Sequence, residues 1–145
     1  MPDFPETSDN FPHKDLCYEV VGCAFGVLGA LGHGFHEKPY ENAMAVEFRE
    51  KGWNFRQQPV YPLYHHGTLV GEYVPDFVVE DAIIVDVRVV ETIGTGDVGQ
   101  MLNYLKVTNL SLGLLFNFQH SQLEWRRVIP SDVRNRKVST THSTI

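Results

Sequence analysis

The chain is poor in cysteine and has no long apolar segment. Its two cysteines, Cys17 and Cys23, lie six positions apart on a predicted helix, where they point to different faces and do not suit a disulfide. Such cysteines are typical of small buried residues in a reducing compartment. The start of the chain is acidic and proline-rich, and no apolar run approaches the roughly 20 residues that span a bilayer. We therefore expect a cytoplasmic protein that does not enter a membrane.

Positive charge is also scarce. Twelve Lys and Arg residues stand against 18 Asp and Glu residues, which gives a formal net charge of −6. Nonspecific binding of nucleic acid depends on the number of phosphates that basic residues neutralise. The composition therefore excludes a protein that coats nucleic acid by charge alone, and a nucleic-acid ligand would require a metal ion or a local basic patch.

The length suits one domain. With 145 residues, of which 43% are hydrophobic, the chain can bury a substantial core. We predict a flexible arm over residues 1–14, one domain over residues 15–130, and a basic, disordered tail over residues 131–145.

The hydrophobic periodicity predicts the order of the elements. Helical spacing indicates helices at residues 16–31, 39–51 and 96–107, the first capped by Asp15. Alternation indicates strands, beginning with a three-stranded meander, at residues 55–64, 69–79, 83–90, 112–118 and 123–129. The order α, α, β, β, β, α, β, β favours an α/β fold in which helices flank a mixed sheet and the third helix is a crossover.

Two acidic residues, Asp76 and Asp86, lie inside strand-like apolar runs. A lone carboxylate is costly to bury there unless a positive group is bound beside it. A divalent cation is the simplest such group, and oxygen-only ligands suit Mg²⁺ or Mn²⁺, which support phosphate chemistry. If residues 80–82 form a three-residue turn, Asp76 lies opposite Asp86 on the same side of the hairpin. A two-residue turn would place them on opposite faces.

Arg88 shares the face of Asp86, because it follows two positions later in the same strand. This placement allows an alternative in which Asp86 and Arg88 form a structural ion pair and Asp76 only ends a strand. Spacing alone supports the metal site and the ion pair equally.

Three further residues are ambiguous when each is taken alone. Glu37 lies near the start of the second helix, where acidic residues commonly complement the helix dipole. Gln100 and Tyr104 are four positions apart on one face of the third helix. Such a pair can contact a phosphate, but it is more often a solvated helix face.

Four motifs occur in order: Gly34-x-x-Glu37-x-x-Tyr40, Pro75-Asp76, Ile84-Val85-Asp86-Val87-Arg88-Val89-Val90-Glu91 and Gln100-x-Leu102-Asn103-Tyr104-Leu105-Lys106. At this spacing they resemble the GxxExxY family of the PD-(D/E)xK nuclease superfamily, over about residues 16–129. The resemblance implies a restriction-endonuclease-like αβββαβ core and a nuclease that depends on Mg²⁺ or Mn²⁺.

The resemblance also implies roles for individual residues. Glu37, Asp76 and Asp86 would bind the metal, so we predict that they converge within a few ångströms. Gln100 and Tyr104 resemble the QxxxY motif of the RecB-like and Cas4-like exonuclease branch, which helps to hold nucleic acid. We expect DNA as the substrate, with an exonuclease preference; RNA as a substrate and assembly into a homo-oligomer stay open.

Arg88 departs from the family motif, which has lysine at this position. The arginine fork can stabilise a pentacoordinate phosphate. It does not activate water by losing a proton, because arginine stays protonated in proteins. The resemblance therefore implies a nuclease in which Asp76, Asp86 and Arg88 are catalytic and Arg88 also binds substrate. The alternative is a non-catalytic nucleic-acid or protein-binding module that retains the nuclease fold.

Overall fold

The computed structural model describes residues 10–132. Residues 1–9 of the predicted arm and residues 133–145 of the predicted tail lie outside the described residues. The helices are α1 (Lys14–Leu31), α2 (Glu37–Glu50) and α3 (Thr95–Thr108). The strands are β1 (Phe55–Gln57), β2 (Tyr61–His65), β3 (Thr68–Tyr73), β4 (Phe77–Val79), β5 (Ile83–Arg88), β6 (Leu112–Asn117) and β7 (Glu124–Val128). Within the described range, none of these helices is long and apolar enough to cross a bilayer.

Five strands form one mixed sheet in the order β1-β4-β5-β6-β7. β5 and β6 run parallel, and the other neighbouring pairs are antiparallel. Parallel neighbours require a crossover connection, which α3 supplies between β5 and β6. The predicted mixed sheet flanked by helices, with the third helix as its crossover, is confirmed.

Two of the predicted strands are each interrupted at a proline. Residues 55–64 separate into β1 and β2 around Pro59, where Gln58 has a left-handed φ of 55°. Residues 69–79 separate into β3 and β4 around Pro75. Proline lacks the N–H that a central strand needs and restricts the residue before it. The prediction of a three-stranded meander is therefore wrong: β2 and β3 form a hairpin of their own, while β1 pairs with β4.

The sheet separates two apolar cores. α1 and α2 cover one face, where Ile83, Val85 and Val87 of β5 are fully buried. α3 and the β2–β3 hairpin cover the other face, which receives Ile84 from the same strand. A Cβ atom on Gly113 of β6 would lie 2.5 Å from the sulfur of Met101, so glycine lets α3 approach the sheet closely. β5 thus contributes to both cores.

α1 begins at Lys14 with His13 at its N-cap, in a left-handed conformation and without a side-chain cap. Asp15 lies in the first turn, where its carboxylate complements the helix dipole, and it is not the cap that we predicted. Phe11 is buried as well, and its ring lies 4.3 Å from the guanidinium carbon of Arg127. The packed core therefore reaches back to Phe11.

The two cysteines are buried and free, as the sequence predicts. Burial raises the pKa of the Cys17 and Cys23 thiols to about 11. Both thiols therefore stay protonated at neutral pH and behave as small core side chains.

Candidate active site

The turn between β4 and β5 decides where the two aspartates point. The strands pair with Phe77 opposite Val85 and leave residues 80–82 as a three-residue loop. Continued by one residue, this register places Asp76 opposite Asp86. Both residues line the same cavity, so the three-residue alternative is correct and the predicted placement of the two carboxylates is confirmed.

Backbone amides tie the two carboxylates together. The Asp76 N–H donates to Oδ1 of Asp86 at 2.9 Å, and the Val87 N–H donates to Oδ2 of Asp76 at 2.7 Å. One oxygen of each carboxylate is thereby held in place. The second oxygen of each accepts no hydrogen bond from residues 10–132; Oδ2 of Asp86 lies 3.9 Å from Nη2 of Arg88.

The environment of Asp76 and Asp86 disfavours the ionisation of both carboxylates at once. Asp86 is only 4% exposed, and burial raises its pKa, against the lowering effects of the Asp76 N–H and of Arg88. The charges of Glu37 and Glu41 raise it further. Burial, followed by the charge of Asp86, raises the pKa of Asp76 to about 7. Two carboxylates in this state require additional positive charge in order to be ionised together.

Arg88 supplies part of that positive charge. Its guanidinium lies between two acids, with Nη2 at 3.9 Å from Asp86 and Nε at 3.7 Å from Asp97. A second oxygen of Asp97 accepts the Gly94 N–H at 2.9 Å, which fixes the carboxylate at the start of α3. One guanidinium that is shared at these distances does not neutralise both Asp76 and Asp86. The predicted Asp86–Arg88 ion pair is thus present but loose.

The aspartates open onto a cavity of about 300 Å³, at the small end of the range for ligand sites. Tyr104 of α3 lines it and stacks on Tyr73, with ring centroids 3.4 Å apart. Burial, and then the charge of Asp86, raise the pKa of Tyr104, so its hydroxyl stays protonated. Gln100 is exposed one turn earlier on α3 and is not among the lining residues. The cavity is lined by Leu63, Glu72, Tyr73, Val74, Asp76, Asp86, Arg88 and Tyr104.

The third predicted metal ligand, Glu37, is not among the residues that line this cavity, although its charge raises the pKa of Asp86. Glu37, the first residue of α2, is exposed and accepts the Val89 N–H at 3.2 Å, just beyond the end of β5. One turn later, Glu41 is buried and accepts hydrogen bonds at 2.6–3.4 Å from the side chains of Lys38, Gln57 and Gln58. Two of the three predicted ligands, Asp76 and Asp86, line one cavity, and the convergence of Glu37 with them stays a prediction.

The donor set nevertheless suits a divalent cation. Three carboxylates, of Glu72, Asp76 and Asp86, line the cavity against the single guanidinium of Arg88. Mg²⁺ is commonly held by one or two carboxylates and takes its other ligands from water and substrate phosphate. Asp76 and Asp86 each offer one oxygen that no backbone amide uses. In residues 10–132 no three His, Cys, Asp or Glu side chains are grouped to hold an ion, so the fit is to an open site rather than to a closed cage.

Sequence reasoning missed three residues near the site. Asp97 lies in the first turn of α3 and accepts the N–H of the N-cap residue Gly94, a local signal that was readable, whereas its approach to Arg88 depends on tertiary structure. Glu41 follows Glu37 by four positions and so shares its helix face. Tyr73 is the last residue of β3, three residues before Asp76, and its place in the cavity wall depends on the tertiary structure.

Residues 14–128 match the family profile of the PD-(D/E)XK nuclease superfamily. No curated protein matches the chain. An alkaline exonuclease from Laribacter hongkongensis, LHK-Exo, is similar with a TM-score of 0.46 and 15% identity, over 68% of this chain and 58% of the exonuclease. The crystal structure of SSO0001 is similar with a TM-score of 0.50 and 10% identity, over 90% of this chain and 67% of that one. The family match and the mixed sheet confirm the predicted restriction-endonuclease-like fold.

Proposed function

This chain belongs to the PD-(D/E)XK nuclease superfamily, and we propose that it is a Mg²⁺- or Mn²⁺-dependent nuclease that hydrolyses phosphodiester bonds of DNA. The observation that carries the proposal is the Asp76–Asp86 pair, two carboxylates tied to each other and facing a cavity. From the order of its motifs we further assign the chain to the GxxExxY group. The Gln100–Tyr104 spacing resembles the QxxxY motif of the RecB-like and Cas4-like branch, and this resemblance supports an exonuclease. The two free, buried cysteines support a reducing compartment such as the cytoplasm.

Asp76 and Asp86 would hold the metal ion through the oxygens that the backbone amides leave unused. The amides of Asp76 and Val87 fix both carboxylates before any ligand arrives, so little reorganisation is needed. Glu37, whose charge acts on Asp86, is the outer member of the set. A bound Mg²⁺ or Mn²⁺ would neutralise phosphate charge and lower the pKa of a coordinated water.

Arg88 stabilises the negative charge that develops on the phosphate. Its guanidinium lines the cavity beside Asp86, and its planar fork matches two phosphate oxygens. Because the group stays charged, Arg88 acts as an electrostatic stabiliser and not as a base. This role is compatible with arginine at the position where the family motif has lysine.

Tyr104 and Gln100 hold the nucleic acid next to the reacting phosphate. Tyr104 is fixed by its stacking on Tyr73 and presents a protonated hydroxyl in the cavity wall. Gln100 lies one turn away on the exposed surface of α3, where it can contact the strand outside the cavity.

Cleavage of end-labelled DNA and RNA, single- and double-stranded, tests the proposal. We expect cleavage with Mg²⁺ or Mn²⁺ that stops with EDTA and in Asp76→Asn, with mononucleotides as early products. Asp81→Asn is a matched control, since Asp81 lies in the adjoining turn, is exposed and pairs with Arg56 away from the cavity. Cleavage that survives both EDTA and Asp76→Asn would contradict the proposal.

The second candidate is a non-catalytic module that binds nucleic acid or protein. The observation that favours it is Arg88 itself, which replaces the lysine of the family motif. Inertness of the wild type on all four substrates with either metal, together with retained binding of nucleic acid or a protein, would select this candidate.

A further inference from the structure

Residues 89–94 join β5 to α3, and we call them the connecting segment. The segment leaves the sheet directly after Arg88, belongs to no helix or strand, and ends at Gly94, the N-cap of α3. The backbone N–H and C=O groups of such a segment need partners from elsewhere in the fold. Those partners therefore determine how Arg88 is held relative to α3.

Asn117, the last residue of β6, supplies the partners at the start of the connecting segment. It is fully buried and lies opposite Arg88 in the register of the sheet. Its Oδ1 accepts the Val90 N–H at 3.0 Å, and its Nδ2 donates to the Val90 carbonyl at 2.9 Å. The side-chain amide thus pairs with both backbone groups of Val90, as a neighbouring strand would. Pairing of the sheet type therefore continues two residues beyond Arg88.

Glu124, the first residue of β7, supplies the partners at the end of the connecting segment. Its Oε1 accepts the Ile93 N–H at 3.1 Å, and its Oε2 accepts the Thr92 hydroxyl at 3.2 Å. Hydrogen bonds to a carboxylate are stronger than those between neutral groups. Oε1 also accepts Nδ2 of Asn117 at 2.9 Å, so the two side chains form one unit. We call Asn117 and Glu124 the brace.

The brace reaches Arg88 from both ends of the connecting segment. At the start it holds Val90, two residues after Arg88. At the end it holds Ile93, which precedes Gly94, and the Gly94 N–H donates to Asp97 at 2.9 Å. The other oxygen of Asp97 lies 3.7 Å from Nε of Arg88. The backbone after Arg88 and the carboxylate beside its guanidinium thus depend on the same two side chains.

We propose that Asn117 and Glu124 are positioning residues that hold the guanidinium of Arg88 in the Asp76–Asp86 cavity. The inference rests on the proposed function and adds two residues to the same site. Neither member of the brace lines the cavity, so both act through Arg88 and not on the substrate. A displacement of about 1 Å in a reacting group can cost about 100-fold in rate, so contacts outside a cavity can control the reaction within it.

The position of Arg88 can be measured without cleavage, from the Nε–H signal of its side chain in a proton–nitrogen correlation spectrum of the metal-free protein. Arg88→Lys removes this signal and so assigns it. We expect Glu124→Ala to shift or broaden the signal, because it removes the acceptor of the Ile93 N–H. Glu124→Gln keeps one acceptor oxygen and should shift the signal less. It carries the test if Glu124→Ala does not fold.

Ile129→Val is the control for a general loss of stability. Ile129 follows β7 and is buried in the core on the side of α1 and α2, away from the brace. The substitution should lower the melting temperature and leave the Arg88 signal and the cleavage rate unchanged.

Single-turnover cleavage of DNA with Mn²⁺ gives the second measurement. We expect Glu124→Ala to lower the rate about 10-fold, by displacing Arg88. In an Arg88→Ala background the same substitution should cause no further loss, because the group through which Glu124 acts is already absent. A residue that supported only the fold would lower the rate equally in both backgrounds.

Two results would overturn the inference: an unmoved Arg88 signal in both Glu124 variants, or equal losses of rate in the two backgrounds. The spectrum and the kinetics also separate this inference from the proposed function. If the wild type does not cleave but its Arg88 signal depends on Glu124, the nuclease is refuted and the brace is not. If Glu124→Ala cleaves like the wild type, the brace is refuted and the nuclease is not.

Discussion

The two faces of β5 differ residue by residue. Ile83, Val85 and Val87 are fully buried among the apolar side chains of α1 and α2. Asp86 and Arg88 alternate with them and face the cavity. On the first face, full burial of an aliphatic side chain stabilises the fold by about 1.5–3 kcal/mol. On the second face, a buried carboxylate is costly. The burial of Ile83, Val85 and Val87 therefore stabilises the strand whose other face carries Asp86 and Arg88.

A second buried acid, Glu41, has more hydrogen-bond donors around its carboxylate than Asp86 has. Glu41 is 4% exposed, like Asp86, but three side chains donate hydrogen bonds to its carboxylate. Among residues 10–132, the carboxylate of Asp86 accepts only the Asp76 N–H, and Nη2 of Arg88 lies 3.9 Å from it. A fully bonded carboxylate is a structural element, whereas one that is half bonded and faces a cavity can accept a cation.

Substitutions at the adjacent residues Asp86 and Val85 should show the largest difference between the two faces of β5. We expect Asp86→Asn to reduce cleavage by about 10³-fold, on the scale of losing a central electrostatic contact. Its fold should survive, because the amide oxygen can still accept the Asp76 N–H. Val85→Ala should retain cleavage but lower the free energy of unfolding by about 2 kcal/mol, through lost burial and a cavity. Cleavage kinetics and thermal unfolding measure both effects. Unfolding of Asp86→Asn would instead make Asp86 a structural partner of Arg88.

The sequence predicted this contrast because it depends on local rules. Alternation separates the two faces of β5, and the length of the turn at residues 80–82 determines whether Asp76 and Asp86 share a face. The separate β2–β3 hairpin was not predicted, since alternation continues through Pro59 and Pro75. Nor could the burial of Glu41 be predicted, because its donors Gln57 and Gln58 lie at the end of β1 and directly after it.

The next largest effect should come from Arg88. Its Nε and Nη2 atoms approach two different carboxylates, those of Asp97 and Asp86, and a lysine has only one nitrogen to offer them. We expect Arg88→Ala to lower kcat about 100-fold and Arg88→Lys to lower it about 10-fold. Single-turnover cleavage with Mn²⁺ measures both rates. Faster cleavage by Arg88→Lys would show that the arginine weakens an ancestral lysine site.

The pH dependence of the free energy of unfolding should report the energetic cost of ionising Asp76 in the folded protein. Its pKa is raised from 3.8 to about 7 by burial and by Asp86. Between these values the folded protein keeps a proton that the unfolded chain has lost, so without metal its stability falls as pH rises from about 4 to 7 and then levels off. The Val87 N–H and Arg88 lower the pKa of Asp76, and the charge of Glu41 raises it. In EDTA, the melting temperature of Asp76→Asn should rise relative to that of the wild type as the pH increases from about 4 to 7. A constant difference would contradict the assignment.

The smallest effect should come from Asp97, which contacts Arg88 from outside the aspartate pair. Asp97→Asn keeps an oxygen for the Gly94 N–H but removes the charge that lies 3.7 Å from Nε of Arg88. We expect kcat to fall about 2- to 5-fold and the free energy of unfolding to change by less than about 1 kcal/mol, as for a partly exposed ion pair. In an Arg88→Lys background, which lacks Nε, the same substitution should have no further effect on kcat. Equal losses in both backgrounds would show that Asp97 acts through the start of α3 and not through the guanidinium.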